Sequence, residues 1–454
     1  MRLQITLPDK TDKEIEKMRS SLINKGFLTM EIMLAFSLMI LFTISTFTLS
    51  SSMQKLKQWS LVELDKLKLS VKKMDELVKN RFADISRYEV IAYGNDTKRI
   101  YIDPLIINHS DYETAWGRDS CDPRLDFNEN NIKYFKYGID IGTGNASTDI
   151  EVRNGIIYLV ADSSSSAQKD FFIIDDRDFS TPSILSSLNT GPGISAIEVA
   201  GSYVFVAQAS SLNQLQVIDI RNRNDPHLIS QIKLPLPTPT TTAPFAKSIF
   251  YSKGFIYLGT AKWNGSEFSI IDVSNPYDPR VIGTFETNTL INDIYVRDDR
   301  AYLASADEMQ MRILDISDKS NPMLIDSFSS SGWQTQEGKT LEYFEGSLGL
   351  GRTVGGFNVA TNHEAFIFST SSNIVNFMSK DIPGGIYGIL LRKPYVFLLT
   401  HSLNHEFQVW DFVLQNKIYD IPLESQPVKM VCDGSNIFFA TLNNKGFSVL
   451  KLYE

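Results

Sequence analysis

The sequence has little of what metal, redox and nucleic-acid-binding proteins carry. Two cysteines in 454 residues are too few for a Cys-rich zinc or iron-sulfur site or for a disulfide-stapled mini-protein. Lysine and arginine number 44 against 53 acidic residues, which gives a formal net charge of −9. Because a phosphate-binding surface needs clustered excess positive charge, this balance argues against nucleic acid as the main partner.

Catalytic patterns are also scarce. His401 and His405 have the spacing of two ligands on a helix, but they fall between predicted strands, outside any metalloprotease motif. The glycine-rich stretch from Gly349 to Gly356 lacks the strand–glycine–helix context of a nucleotide loop. We find no nucleophile–base pair that rises above the background of 53 acids. The sequence therefore predicts no enzyme, no metal site and no cofactor.

One segment is strongly apolar. Residues Phe27 to Leu49 contain a single charge, Glu31, and are long enough to cross a bilayer core of roughly 30 Å as a helix. A secretory signal peptide fits poorly, because its apolar region is shorter and ends in a small-residue cleavage site. The 26 residues before the run carry six positive and four negative charges, +2, which leaves −9 − 2 = −11 for the rest of the chain.

The junction before this run resembles a known processing signal. Lys25-Gly26-Phe27-Leu28-Thr29-Met30-Glu31 is similar to the prepilin signal of type IV pilins and type II secretion pseudopilins. The resemblance implies cleavage after Gly26 by a prepilin peptidase, methylation of Phe27, and pairing of Glu31 with the terminal amine of a neighbouring pilin subunit. It also implies a cytoplasmic leader and a body outside the membrane. The alternative is an ordinary anchor whose Glu31 reaches the membrane interface.

A second helix pattern follows the apolar run. Residues 53–85 lack glycine and proline and repeat apolar residues at intervals of three and four. We interpret residues 27–87 as one pilin-like helix, spanning the membrane at 27–49 and amphipathic beyond it. Its apolar stripe is either a filament contact or the packing face of an independent stalk. Residues 88–130 read as a connecting region that contains a hairpin.

Strands and turns then repeat. Four segments align on Asp175, Asp219, Asp272 and Asp315, and in each a proline follows seven residues later, at Pro182, Pro226, Pro279 and Pro322. The pattern predicts a buried strand that ends at the aspartate and an outer strand that begins near the proline. The spacings of 44, 53 and 43 residues are close to the period of a four-stranded propeller blade.

These segments resemble the LVIVD-type repeats of bacterial surface propellers. Weaker third strands at Glu364–Thr370, Phe407–Val413 and Phe447–Leu452 bring the count to seven, and Ile132–Gly138 supplies the strand that the last blade lacks. The expected fold is thus mainly β: an N-terminal transmembrane and amphipathic helix followed by a seven-bladed propeller over residues 131–454. Six or eight blades are the alternatives.

Long insertions are predicted on one face of the propeller, the end where the second and third strands of each blade are joined and where the blades are connected. Trp263, Trp333, His401 and His405 lie there and are the candidate binding residues, although an ordinary loop role competes for each. Cys121 and Cys432 either form a disulfide outside the membrane or remain two buried thiols.

The predicted function is a minor pilin-like subunit, held as a single-pass membrane protein before assembly into a type IV pilus or related filament on the cell surface. Residues 1–26 would be its leader. The propeller would bind a surface protein or glycan in adhesion. The alternatives are a membrane-anchored surface propeller and a hydrolase that uses the helix only as an anchor.

Overall fold

The computed structural model describes residues 120–121, 132–135 and 138–452, except 143–144, 154, 164–166, 178–180, 239–241, 331–335, 354–362, 371–376, 435 and 444. This part of the chain is built from strands, grouped in seven sheets. The predicted leader, the helix over 27–87 and the hairpin of the connecting region lie outside it, as do Gly26, Phe27 and Glu31. Within the described residues, no helix is long and apolar enough to cross a bilayer.

Two short strands precede the blades, β1 (Ser120–Cys121) and β2 (Ile132–Phe135). Blade 1 consists of β3 (Asn145–Arg153), β4 (Ile156–Ser163), β5 (Phe171–Asp175) and β6 (Ser183–Leu188). Blade 2 consists of β7 (Ile194–Ala200), β8 (Tyr203–Gln208), β9 (Leu215–Asp219) and β10 (His227–Ile232). Blade 3 consists of β11 (Ala246–Ser252), β12 (Phe255–Thr260), β13 (Phe268–Asp272) and β14 (Arg280–Phe285).

Blade 4 consists of β15 (Ile291–Arg297), β16 (Arg300–Ser305), β17 (Met311–Asp315) and β18 (Met323–Phe328). Blade 5 consists of β19 (Gly338–Phe344), β20 (Ser347–Arg352), β21 (Ala365–Ser369) and β22 (Phe377–Lys380). Blade 6 consists of β23 (Ile386–Arg392), β24 (Tyr395–Thr400), β25 (Phe407–Asp411) and β26 (Lys417–Ile421). Blade 7 contains β27 (Pro427–Gly434), β28 (Asn436–Thr441) and β29 (Phe447–Leu452).

The fold is a seven-bladed β-propeller, as the repeat count predicts. Blades 1 to 6 are four-stranded antiparallel meanders, each with its strands in sequence order. In every blade the first strand is the innermost one and the fourth strand lies at the outside. The loops between second and third strands and the connections between blades therefore emerge at one end, called the loop face below. The shorter hairpins of each blade emerge at the opposite end, the turn face.

The ring closes through a strand from earlier in the chain. Strand β2 pairs antiparallel with β29, from Ile132 opposite Leu452 to Phe135 opposite Val449, and so supplies the fourth strand of blade 7. This confirms the predicted closing strand, which the structure places at Ile132–Phe135. Closure removes the open sheet edge that the last blade would otherwise expose. Strand β1 adds a parallel pairing to β27, with Cys121 opposite Gly434.

The repeated aspartates end the third strands, as predicted. In the four aligned repeats each carboxylate accepts a hydrogen bond from the backbone N–H two residues later, at 2.8–3.1 Å. This contact fixes the turn toward the outer strand, which starts directly after the repeat proline. Proline is tolerated there because it stands just outside the ladder and withdraws no ladder donor.

The hydrophobic core lies between adjacent blades. Each interface contains a cluster of buried apolar side chains, including the interface between blade 7 and blade 1 that closes the ring. Aromatic residues such as Phe205, Phe268 and Phe407 are fully buried there. Burial of each such side chain contributes about 1.5–3 kcal/mol, so blade-to-blade packing, rather than any single blade, stabilises the ring.

Candidate functional site

A β-bulge occurs at the same place in the inner strand of every blade. In each case the register shifts by one residue near the loop-face end of the strand. The extra residues form a ring: Thr148, Ser195, Lys247, Asn292, Lys339, Tyr387 and Val428. A bulged residue stands outside the ladder pairing, which re-aims its side chain.

All seven bulged residues line one cavity of about 330 Å³ at the centre of the ring. Its wall is completed by the neighbouring residues of the inner strands and by the ends of several second strands, among them Asp162 and Leu442. These second-strand ends belong to the loop face, so the cavity lies at the loop-face end of the channel. We take this cavity as the candidate functional site, because concave pockets with convergent polar groups are the usual place for ligands.

Three lysines contribute to the cavity wall, Lys247 from blade 3, Lys339 from blade 5 and Lys429 from blade 7. Burial lowers the pKa of Lys339, and the positive charges of Lys247 and Lys429 act in the same direction, against Glu337 and Asp293. Lys247 and Lys429 therefore lie close enough to Lys339 for their charges to act on its partly desolvated ammonium.

Two cavity aspartates are engaged by the neighbouring blade. Asp149 accepts the backbone N–H of Ile197 at 3.0 Å, and Asp293 accepts the backbone N–H of Leu341 at 2.9 Å. Each also accepts the N–H of the residue that follows it. These carboxylates are buried and hold inner strands together, so the geometry gives them a part in blade assembly.

His401 lies in the cavity wall and stacks on Tyr387, with ring centroids 3.3 Å apart. Its Nε2 contacts the carbonyl of Pro427 at 3.1 Å, and its Nδ1 accepts from the Gln426 amide at 2.6 Å. Burial, together with the charge of Lys339, lowers the pKa of His401. A neutral ring that donates through Nε2 satisfies both contacts, so His401 connects blades 6 and 7 and fixes the position of Tyr387.

The other candidate binding residues lie elsewhere. The Trp263 Nε1 donates to the carbonyl of Ser266 at 3.1 Å within its own loop, and the His405 Nδ1 lies 2.7 Å from the Asp420 carboxylate. Neither residue lines the cavity, and Trp333 lies outside the described residues. The binding role of these residues stays a prediction.

The cysteine prediction gains a structural context. Cys432 is buried in β27, and the sequence contains one other cysteine, Cys121. The pairing of β1 with β27 aligns the backbone of Cys121 with Gly434, two residues from Cys432. Their pairing stays a prediction, which the mass of the unreduced protein tests.

A set of residues that the repeat analysis missed fastens the loop face. One polar residue directly precedes the third strand of blades 1 to 6, and its side-chain oxygen accepts a backbone N–H from the connection to the next blade at 2.7–3.2 Å. The residues are Asp170, Gln214, Glu267, Gln310, Glu364 and Glu406. In five of these blades the residue lies five positions before the aspartate that ends the third strand. An alignment of the repeats could have identified these residues by this regular offset.

Two of these acids have raised pKa values. Burial raises the pKa of Asp170 to about 6 and that of Glu364 to about 7, against the hydrogen bonds that favour their charged forms. Blades 2 and 4 use glutamine at the same position, so a neutral side chain is sufficient to accept the bond. Asp170 and Glu364 can therefore accept these hydrogen bonds in their neutral forms. Their ionisation lowers the stability of the folded protein.

We expect the propeller to lose stability as the pH rises through 6 and 7. Because the folded-state pKa values of Asp170 and Glu364 lie above the unfolded values of 3.8 and 4.5, their contribution is complete below those values and falls as the folded-state groups ionise. Thermal unfolding midpoints at pH 5 and pH 8 measure this. The double variant Asp170→Asn, Glu364→Gln should flatten the difference, and an unchanged pH dependence in the variant would contradict the assignment.

Buried charges also occur deeper along the inner strands. Glu342 of blade 5 pairs with Arg392 of blade 6 at 3.0 Å, and Glu151 pairs with Arg153 within blade 1 at 2.8 Å. These residues are not part of the cavity wall. Within the described part of the chain, no group of three or more His, Cys, Asp or Glu side chains is arranged to hold a metal ion.

Comparison with protein families identifies the repeat. The LVIVD repeat family matches residues 194–233, 245–287 and 291–330, which correspond to blades 2, 3 and 4. The propeller therefore contains LVIVD repeats. The match includes three of the four segments aligned on the repeated aspartates and does not include the first, at Asp175 in blade 1.

Solved structures share the fold at low identity. The computationally designed Ika8 protein matches with a TM-score of 0.50 and 10% identity, over 70% of this chain and 100% of that chain. A chain of the Mitotic Checkpoint Complex matches with a TM-score of 0.51 and 12% identity, over 81% of this chain and 99% of that chain. Identities this low bear on the fold alone. No curated protein matches the chain.

Proposed function

We propose that this protein is a minor pilin-like subunit that displays its propeller on a type IV pilus or related filament, where the loop face binds a surface protein or glycan. The proposal joins two observations. The sequence from Lys25 to Glu31 is similar to a prepilin signal and is followed by an apolar run to Leu49. The propeller carries a cavity at the loop-face end of its channel.

The polarity of the propeller is the observation that supports display most directly. The closing strand β2 is a fourth strand, and fourth strands run from the turn face to the loop face. The closing strand therefore begins at the turn face, at Ile132, opposite the end that holds the cavity, and β1 pairs with the last residues of β27 at the same end. A propeller whose first described strands begin at one end and whose cavity lies at the other suits anchoring and presentation.

The hydrolase alternative gains less support from the described residues. The cavity carboxylates Asp149 and Asp293 are fastened to backbone amides of neighbouring blades. The deeper glutamates Glu151 and Glu342 are ion-paired with arginines. A general acid or base needs access to a substrate proton, and these four carboxylates are already held by backbone amides or by arginines.

We expect the mature protein to begin at Phe27, without residues 1–26 and with one methyl group on the new amine. Mass spectrometry of the full chain isolated from membranes or surface filaments measures this. The change Gly26→Val places a branched side chain at the cut and should leave the precursor intact, whereas Asn24→Ala, two residues away, should be processed. An intact Met1, or a cut at another position, would overturn the pilin-like role.

Filament purification tests the second half of the proposal. The protein should co-purify with surface filaments at a low ratio to the main subunit, because a domain of this size would crowd a helical array. Glu31→Ala should be processed and yet be depleted from filaments, since the carboxylate is expected to pair with a neighbouring terminal amine. Equal incorporation of Glu31→Ala and wild type would remove that role for Glu31.

A further inference from the structure

We infer that the cavity binds the anionic group of its ligand, a carboxylate, phosphate or sulfate, between Lys247, Lys339 and Lys429. The inference names the ligand chemistry of the loop face, and so rests on the binding role proposed above. It does not depend on how the chain is anchored.

The first argument is convergence of like charge. The chain as a whole is acidic, with a formal net charge of −9, yet three lysines from blades 3, 5 and 7 reach one cavity of about 330 Å³. Two of them, Lys247 and Lys339, occupy bulged positions, where the side chain has no ladder neighbour to pack against. Ammonium groups that lie close together repel one another. An anion bound between them relieves this repulsion, which favours its binding.

The second argument is the state of Lys339. Its ammonium is partly desolvated, and Lys247 and Lys429 disfavour its charged form further. Among the described residues, neither Lys339 nor Lys247 forms a salt bridge, and the Lys339 ammonium lies 5.8 Å from the centre of the Tyr387 ring. An oxyanion placed here would accept charge-assisted hydrogen bonds, which are roughly twice as strong as neutral ones.

The third argument concerns the acids of the same wall. Asp149 and Asp293 each accept two backbone N–H bonds, so their negative charge is already stabilised by the fold. Asp162 is exposed at the rim. The lysines of blades 3, 5 and 7, with Asn292 and Tyr387 between them, form the part of the cavity wall where binding of an anion is most favourable.

The size of the cavity limits the ligand. A volume near 330 Å³ lies at the lower end of the range for small-molecule sites. It suits one acidic group with the ring or short chain that bears it, such as a uronate or a phosphorylated or sulfated sugar, at the end of a larger surface molecule.

The test is calorimetric titration of the full chain, in non-ionic detergent at constant ionic strength, with inorganic phosphate, sulfate, glucuronate and glucose. We expect saturable binding of at least one anion by wild type and no comparable binding of glucose. Binding of all anions assigns the site to the charge alone, whereas binding of glucuronate alone assigns it to a sugar carboxylate. Both results support the inference.

The matched variants are the double change Lys247→Met, Lys339→Met and the single change Lys233→Met. Lys233 is exposed on the connection between blades 2 and 3, outside the cavity wall. The double variant should bind about tenfold more weakly or not at all, because it loses two charge-assisted contacts, and Lys233→Met should bind like wild type. If the double variant loses its β-sheet circular dichroism, the single change Lys247→Gln, at an exposed side chain, provides the comparison.

Three results overturn the inference: no anion binds wild type, glucose binds as well as glucuronate, or the lysine variants bind as wild type does. Failure here is separable from failure of the proposed function. A chain that is cut after Gly26 and enters filaments but binds no anion loses this inference alone. A chain that binds anions but is not cut retains the inference and loses the pilin-like role.

Discussion

Arg392→Met should destabilise the propeller by about 3–5 kcal/mol, the usual cost of removing one partner of a buried ion pair. The side chains of Arg392 and Glu342 are 2% and 3% exposed and lie 3.0 Å apart, joining the inner strands of blades 6 and 5. The guanidinium also donates to the carbonyl of Leu391 and stacks over the ring of Phe344. Methionine retains the apolar stem but leaves the Glu342 carboxylate buried without its cation.

The control is the double variant Arg392→Met, Glu342→Met. It removes both charges and fills the same space with apolar atoms, so it should recover most of the lost stability. Denaturant unfolding of the full chain in detergent measures the three proteins. A double variant as unstable as the single one would mean that the site depends on the Arg392 contacts to blade 5 other than the ion pair.

Gly138→Ala should open the ring, at a cost of about 3 kcal/mol, the upper part of the range for overpacking. A Cβ at Gly138 would lie 2.1 Å from the carbonyl oxygen of Lys445 and 2.7 Å from that of Phe447. Both are backbone atoms, one of them two residues before β29 and the other in its first residue, and β29 is the partner of the closing strand. The next residue, Ile139, donates its N–H to the same Lys445 carbonyl at 2.9 Å. The chain has to move away from β29 to admit the methyl group.

Gly346→Ala is the control for Gly138→Ala. It tests the effect of an unfavourable backbone conformation without a steric clash. Gly346 has a φ of +80°, and a Cβ there would meet no atom within 4 Å, so its replacement should cost only about 1 kcal/mol. Unfolding midpoints and limited proteolysis of the first and last strands distinguish the two variants. Equal losses, or cleavage that spares the closing segment in Gly138→Ala, would contradict the part assigned to Gly138.

The repeat pattern predicted the propeller because it reflects local turn chemistry. Asp175 and its three equivalents accept backbone hydrogen bonds two residues later, and the prolines stand immediately before the outer strands, so both residues mark strand ends in one dimension. The closing strand was predictable for a similar reason. The last repeat ends at Phe447–Leu452 without a fourth strand, and an apolar segment with strand character stands just before the first repeat.

The cavity was not predictable in the same way. The inner strands mix apolar with polar residues, as in Asn145–Arg153 and Gly338–Phe344, so a one-residue register shift leaves no trace in the sequence pattern. Lys247, Lys339 and Lys429 are 92 and 90 residues apart, and only closure of the ring brings them together. The loop acceptors such as Glu267 recur at a fixed offset, but their mixed identity, Asp, Gln or Glu, hides them from a search for one repeated residue.

The ring of bulges separates the residues that hold the propeller together from the residues that line its cavity. Ladder pairing and packing between blades constrain nearly every other inner-strand residue, whereas the seven bulged residues take no position in the ladder. Their present diversity, two lysines, two hydroxyl residues, an amide, a tyrosine and a valine, is compatible with one backbone. The residues at these seven positions can therefore be substituted with little effect on the fold. Their substitution offers a route to new ligand preferences.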